Sequence, residues 1–345
     1  YTLGLKIYYW YHFQKDSGIE ANIKFMYKIG IIDTIDDKGI KLLENNKNFS
    51  YEIITDLSNK NLLAKLPEFD GVTLRRGKLD EEILKNCKKL KVIARHGVGY
   101  DNVDTSYIKK NNISLLVTHN STSTSPAEHA MFMIINIYKG REMFDSMVRE
   151  GNFHKAIHLK INDNFELFNK NVLIAGFGRI GKKLIKKCLG FDMNVSVYDP
   201  YVDKEAIQSL GGKKVLDFDQ ALMEADILSL SLPLNKETKN FISLKEMSIM
   251  KKSAVLINIS RGGVVNEKDL NKALEDKFIS FAGIDVFEKE PPDLDNPLLK
   301  NNRVLLSPHA ATFTRECLES MSMETVQNII DFFENKIDPI KIIQL

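Results

Sequence analysis

The sequence predicts an α/β protein built from two doubly wound parallel-sheet domains. Two observations carry that prediction. Short apolar runs recur along the chain with amphipathic helical stretches between them, and polar or glycine-rich turns follow the ends of those runs. Alternation of this kind favours parallel sheets with helices on both faces. The length of 345 residues is enough for two separate cores. With 43% hydrophobic and 27% charged residues the composition is that of an ordinary globular protein.

Residues 1–27 stand apart. The segment 7–13, IYYWYHF, is aromatic, holds the single Trp and is far too short to span a bilayer. No basic segment precedes a long apolar run and no small-residue cleavage site follows, which makes a poor signal peptide. The first residue is Tyr rather than Met. This stretch is expected to be an extension outside the main fold, with no role assigned.

From residue 28 the chain reads as strand 29–32, helix 37–44, strand 51–55, helix 59–66, strand 71–74, helix 80–86, strand 90–94 and strand 113–117. The turn RHGVGYDNVD (95–104) directly follows a strand, where ligands bind in this architecture. NSTSTSP (120–126) is a polar break and the candidate hinge. Ser125 at the cap and Pro126 in the first turn open a long helix through residue 151. Its apolar surface is broader than one stripe, so it is expected to pack against more than one neighbour. Later strands are expected at 172–175, 195–198, 226–232, 254–259, 279–287 and 303–307. An amphipathic helix at 314–335 should return to cover the first domain. The expected division is a discontinuous substrate-binding domain, 28–120 plus 309–345, and a dinucleotide-binding domain, 121–308.

Gly176, Gly178 and Gly181 follow the 172–175 run in G-x-G-x-x-G spacing. The first allows the tight turn out of the strand, the second lets a pyrophosphate approach the backbone, and the third lets the helix pack on the sheet. The N–H groups and dipole of the following helix favour anionic phosphates. Phe177, Arg179 and Ile180 belong to the same expected cofactor-binding turn. The next run ends at Asp199, 18 residues after Gly181. An acidic group there accepts from both adenosine ribose hydroxyls and repels a 2′-phosphate, so NAD is expected rather than NADP.

A nicotinamide enzyme needs a proton donor beside the hydride acceptor and a cation to hold an anionic substrate. Of the seven histidines, only His309 lies between a strand end and a small-residue turn, PHAAT. It suits reversible proton transfer near neutrality. Glu290 is the carboxylate expected to orient it and favour imidazolium. The planar fork of Arg261 can hold a carboxylate and the adjacent carbonyl oxygen together. Taken singly, His309 could cap the last helix, Arg261 could serve a surface ion pair and Glu290 could be solvated. All three at strand ends on one side of a sheet argue for a shared site.

Several segments together mark a resemblance: RHGVGYDNVD, SPAEHA, VLIAGFGRIG, LSLPLNKETKNFI, INISRGGVVNE, AGIDVFEKEPP and LSPHAA. Over about residues 28–345 the chain is similar to the D-isomer-specific 2-hydroxyacid dehydrogenases. The resemblance implies Rossmann-like domains with the active-site cleft between them. It also implies carboxylate binding by Arg261, a Glu290–His309 catalytic pair, and carboxylate contacts from the backbone amides of Val98 and Gly99. Asp285 is expected to face the nicotinamide carboxamide, and Pro233, Thr238 and Ile259, in matching segments, to line the cofactor. A homodimer through the helix at 126–151 is implied as well.

Departures from the family pattern leave the substrate open. Phe153 stands where phosphoglycerate enzymes often carry Trp, and Leu232, preceded by Ser231, stands where many members have His. The sequence carries no segment like the regulatory C-terminal domain of long-form phosphoglycerate dehydrogenases, so serine feedback through one is not expected. Arg75, Arg76 and Lys78 follow a strand, and a phosphate held by Arg75 would favour 3-phosphoglycerate and phosphohydroxypyruvate as the substrate pair. A basic solvated turn is the alternative, with hydroxypyruvate or glyoxylate as substrate. A reading of another class is an NAD-binding regulatory or corepressor-like protein on the same fold. A net charge of +2 without a basic stripe argues against nucleic acid, and nothing in the sequence argues for a membrane. Three distant cysteines suggest neither disulfides nor a zinc site, and so a reducing cytoplasm.

Overall fold

The computed structural model describes residues 27–156, 158 and 164–345. The aromatic segment at 7–13, and all of the expected extension except Tyr27, lies outside them. The chain forms two compact units: one runs to Val117 and resumes over Ser322–Leu345, and the other is Thr118–Met321. The sequence reading put the crossings at 120/121 and 308/309.

In the first unit β1 (Tyr27–Ile32), β2 (Phe49–Ile54), β3 (Gly71–Leu74), β4 (Val92–Arg95) and β5 (Ser114–Leu116) form a parallel sheet in the order β2-β1-β3-β4-β5. Four helices alternate with them: α1 (Asp37–Glu44), α2 (Asn59–Lys65), α3 (Glu81–Leu84) and α4 (Thr105–Lys110). Each starts where the sequence supplies an N-cap. The side chains of Asp36, Ser58, Asp80 and Asp104 accept from backbone N–H groups of the first turn, typically worth about 1 kcal/mol apiece. Val72, Leu74, Ile93 and Leu115 pack on one side of the sheet, and Ile29, Ile31, Val92, Ala94 and Leu116 on the other. Burial on both faces is why these strands read as unbroken apolar runs.

The second unit opens with α5 (Thr124–Lys139), α6 (Arg141–Arg149) and α7 (Phe153–Ala156). It continues as β6 (Asn171–Ala175), α8 (Arg179–Leu189), β7 (Asn194–Tyr198), α9 (Lys204–Gln208), β8 (Lys213–Val215), α10 (Phe218–Glu224) and β9 (Ile227–Leu230). Then come α11 (Leu244–Ser248), β10 (Val255–Asn258), α12 (Glu267–Glu275), β11 (Phe281–Ile284) and β12 (Val304–Leu306). All seven strands are parallel, in the order β12-β11-β10-β9-β6-β7-β8. The strand order reverses between β6 and β9, and ligands bind beyond the carboxyl ends of strands at such a point. The last helix, α13 (Arg315–Phe333), begins in this unit and ends in the first. There Val326, Ile329 and Ile330 join the Ile29–Ile31 cluster, as the expected return of the chain requires.

Two local expectations are corrected. The long helix through 151 is broken: α5 stops at Gly140, whose φ of +56° is a left-handed cap, and α6 starts afresh. A Cβ at Gly140 would also lie 2.8 Å from Asn164 Oδ1. Ser125 is not the cap, because the helix already starts at Thr124. Its hydroxyl instead donates to Ala311 O at 2.6 Å. The short strand β8, with its exposed Lys213, carries too little apolar signal to be read from sequence.

Candidate active site

The glycine turn behaves as its spacing implies. Gly176 has φ +102°, and a Cβ there would meet Ser231 O at 2.5 Å. A Cβ on Gly181 would meet Gly176 O at 2.2 Å, so α8 can pack this close only with glycine there. Gly178 differs, since among the described residues nothing beyond its own chain neighbours lies within 4 Å of where its Cβ would be. Open space therefore borders the N-terminus of α8, where backbone N–H groups and the helix dipole favour an anion. Asp199, just past β7, accepts from Phe177 N at 2.8 Å and from Tyr201 N at 3.0 Å, which fixes its carboxylate beside the turn. This donor and acceptor set fits a dinucleotide, with pyrophosphate at Gly178 and a ribose at Asp199.

The other expected cofactor residues divide by exposure. Phe177 and Ile259 are buried in the core. Ile180 is half-buried, whereas Arg179 is exposed and lies 2.9 Å from His119 Nδ1. Thr238 is used by its own loop: its hydroxyl donates to Pro233 O at 2.6 Å and accepts from Asn235 N at 2.8 Å.

His309 and Glu290 meet at the ends of β12 and β11. His309 Nδ1 lies 2.8 Å from Glu290 Oε2, and Glu290 Oε1 accepts from Phe287 N at 3.1 Å. Burial alone would raise the Glu290 carboxyl. The His309 contact, the Phe287 N–H and the nearby Arg261 charge outweigh it and hold Glu290 below its usual range. With Nδ1 turned to Glu290, Nε2 is the ring nitrogen left to face a reactant.

Arg261 reaches this neighbourhood through a tightly specified loop. Asn258, at the end of β10, accepts from Ser260 N and Ser260 Oγ and donates to Arg261 O at 3.0 Å. A Cβ on Gly262 would lie 1.7 Å from Phe287 O. Only glycine lets the Arg261 loop lie against the Phe287–Glu290 segment. Arg261 Nη1 donates to Ser260 O at 2.7 Å.

Asp285 is fully buried and holds the turn after His309. Its carboxylate accepts from Ala310 N at 2.8 Å and from Ala311 N at 3.1 Å, while its carbonyl accepts from His309 N at 2.7 Å. Burial would raise this carboxyl too, but His129, Ser307 and the Ala310 N–H together lower it. His309 itself sits at φ +52°, a left-handed conformation that side chains rarely adopt.

Val98, Gly99 and Arg75 belong to the first unit. Val98 is exposed, and among the described residues no protein group accepts from the Val98 or Gly99 N–H. Arg95 sets this loop: Nε donates to Gly99 O at 2.6 Å, and Nη1 donates to Leu74 O and, at 2.8 Å, to Arg75 O. Arg75 Nη1 donates to Thr34 O at 2.9 Å, and Arg76 pairs with Asp33 at 2.5 Å. Sequence reasoning passed over Arg95, Asn258 and His129. The signal available was a polar residue at or just past an apolar strand, and for His129 its place one turn after Ser125.

Comparison with known proteins gives this geometry a context. Residues 131–311 match the family model for the NAD binding domain of D-isomer specific 2-hydroxyacid dehydrogenases. A glyoxylate reductase of Thermococcus litoralis is 37% identical over 319 residues, covering 90% of this chain and 95% of that protein. A D-3-phosphoglycerate dehydrogenase of Archaeoglobus fulgidus is 32% identical over 305 residues, 88% of this chain; the chain spans only 57% of that relative's length. Among solved structures, an NAD-dependent formate dehydrogenase from Staphylococcus aureus in complex with NAD superposes with a TM-score of 0.81 at 25% identity, covering 92% of this chain and 99% of that one. The family match spans more than half the chain, on the unit that carries the glycine turn and the Glu290–His309 pair, and on these grounds the chain belongs to the D-isomer specific 2-hydroxyacid dehydrogenase family.

Proposed function

We propose that the protein is an NAD-dependent oxidoreductase interconverting a small D-2-hydroxy acid and its 2-keto acid. The Glu290–His309 pair at 2.8 Å, with the Arg261 loop packed on the same segment, is the observation that carries this reading. NADH bound through Gly178 and Asp199 would supply hydride to C2 of the keto acid. Arg261 holds the substrate carboxylate and the carbonyl oxygen, and strengthens as that oxygen gains negative charge. Within the first unit, the N–H groups of Val98 and Gly99, which no protein group among the described residues accepts, are donors of the kind a carboxylate takes. His309 Nε2 delivers a proton to the oxygen, and Glu290 stabilises the imidazolium from which it comes. General acids of this type contribute about 10²- to 10⁴-fold.

The favoured substrate pair is 3-phosphoglycerate and phosphohydroxypyruvate, on the ground that Arg75 stands just past β3 and, among the described residues, commits only Nη1, to Thr34 O. A second reading, reduction of glyoxylate or hydroxypyruvate, is favoured by the near-complete span of the glyoxylate reductase relatives. NADH oxidation with phosphohydroxypyruvate, hydroxypyruvate and glyoxylate separates them. The first reading predicts the highest kcat/KM for the phosphorylated acid, and a loss of about tenfold or more for that acid alone in Arg75→Ala. Equal loss for all three acids, or none, favours the second.

The proposed assembly is a homodimer through the segment 126–151. Its support is the exposed Phe132, with Met131, Ile135 and Phe191 lining an apolar groove of about 620 Å³ between α5 and α8. Among the described residues no helix is long and apolar enough to cross a membrane. The three cysteines are buried and unpaired, which supports a reducing cytoplasm.

A further inference from the structure

The geometry points to His129 as a positioning residue for the proposed proton donor His309, acting through the buried carboxylate of Asp285. The inference rests on the dehydrogenase reading above. The turn that carries His309 is energetically costly by itself. A non-glycine residue at φ +52° costs of the order of 1–3 kcal/mol and persists only when its surroundings over-determine it. Here the determinants converge on one residue. Asp285 accepts His309 N–H on its carbonyl and the next two N–H groups, those of Ala310 and Ala311, on its two carboxylate oxygens. Ser125 adds a fourth tie by donating to Ala311 O at 2.6 Å.

A fully buried carboxylate is itself costly unless it is paired. His129 Nε2 lies 3.4 Å from Asp285 Oδ1, and its side chain is 17% exposed. That nitrogen is buried and makes no hydrogen bond of good geometry among the described residues, so the Asp285 carboxylate at 3.4 Å is the polar group it faces. A ring nitrogen faces a carboxylate favourably only when it carries a proton. His129 therefore supplies the side-chain donor on the α5 side of Asp285, and Ser125, one turn earlier on α5, supplies the tie to the turn itself. Helix α5 thus holds the His309 turn at two points, and the Glu290–His309 distance follows from where that turn is held.

Two measurements on His129→Ala and His129→Gln test this. In the NADH-dependent reduction assay, His129→Ala should lower kcat about tenfold or more while KM for the keto acid stays within about twofold. His129→Gln, whose amide can still donate to Asp285, should recover most of the loss. Hydrogen exchange of the Ala310 and Ala311 amides supplies a readout that needs no substrate. It should quicken about tenfold in His129→Ala and much less in His129→Gln. If the wild type turns over no keto acid, the dehydrogenase reading fails, and the exchange data still decide the clamp. Unchanged exchange at Ala310 and Ala311 would overturn the positioning role, as would a Gln variant no better than Ala in both measurements.

Discussion

At the carboxyl ends of β1, β3 and β4 the first unit carries Asp33, Arg75, Arg76 and Arg95, and these charges are largely turned on the protein itself. Arg76 pairs with Asp33, and Arg95 satisfies three backbone carbonyls of its own strand ends. The corresponding ends of the second sheet carry Asp199, Arg261, Asp285, Glu290 and His309. There the outcome is a titratable pair, Glu290–His309, beside a cation, with Asp285 and Asn258 fixing the loops that present them. Both sheets follow one rule, polar groups just beyond parallel strands. What separates a holding site from a reacting one is the partner each group has: a carbonyl or fixed ion leaves nothing to transfer, whereas an acid beside a base does.

The largest expected effect that sharpens this contrast is at Arg261. Arg261→Gln should lower kcat and raise KM together, with kcat/KM falling about 10²- to 10³-fold. Arg261→Lys keeps the charge, loses the fork and should recover only part. NADH affinity, followed by fluorescence, should hardly change. Loss of NADH binding would make Arg261 a structural residue like Arg95 and erase the difference between the two sheets.

A smaller effect is expected at Glu290. In the wild type its carboxyl stays ionised below the usual range. Its pairing therefore contributes stability above the usual carboxylate range and loses it as pH falls through the lowered value. Glu290→Gln removes the carboxylate that His309 Nδ1 faces at 2.8 Å. The limb on which keto-acid reduction is lost as pH rises should then move to lower pH. A profile superimposable on the wild type would remove Glu290 from the mechanism.

The smallest effect concerns the cofactor. Asp199→Ala should weaken NADH binding about tenfold, the size of a lost hydrogen bond to a charged group, and narrow the gap to NADPH. Wild-type protein that already uses both cofactors equally would contradict the ribose role of Asp199.

How much of this was legible in sequence follows from how local each feature is. The glycine turn, the N-caps and the apolar strands are encoded within a few consecutive residues, and the structure places β6, α8 and β7 within one turn of where the pattern put them. The Glu290–His309 pair was legible because both residues flank strands whose ends must lie side by side. The break of the long helix was hidden, since Gly140 lies inside an otherwise continuous helical pattern and only its left-handed backbone ends α5. The clamp at Asp285 was hidden for a different reason. It joins residues 129, 285 and 310, far apart in sequence, through a carboxylate for which the family resemblance implies a cofactor contact.

The central claim, that the second sheet presents a proton donor at His309, is tested most directly by His309→Ala. The two quantities to follow are kcat for NADH-dependent reduction of the best keto acid and the dissociation constant for NADH. The account predicts a kcat lower by about 10² or more, the size of a lost general acid, with NADH affinity close to that of the wild type. Turnover unchanged in His309→Ala, in protein that binds NADH normally, would contradict it.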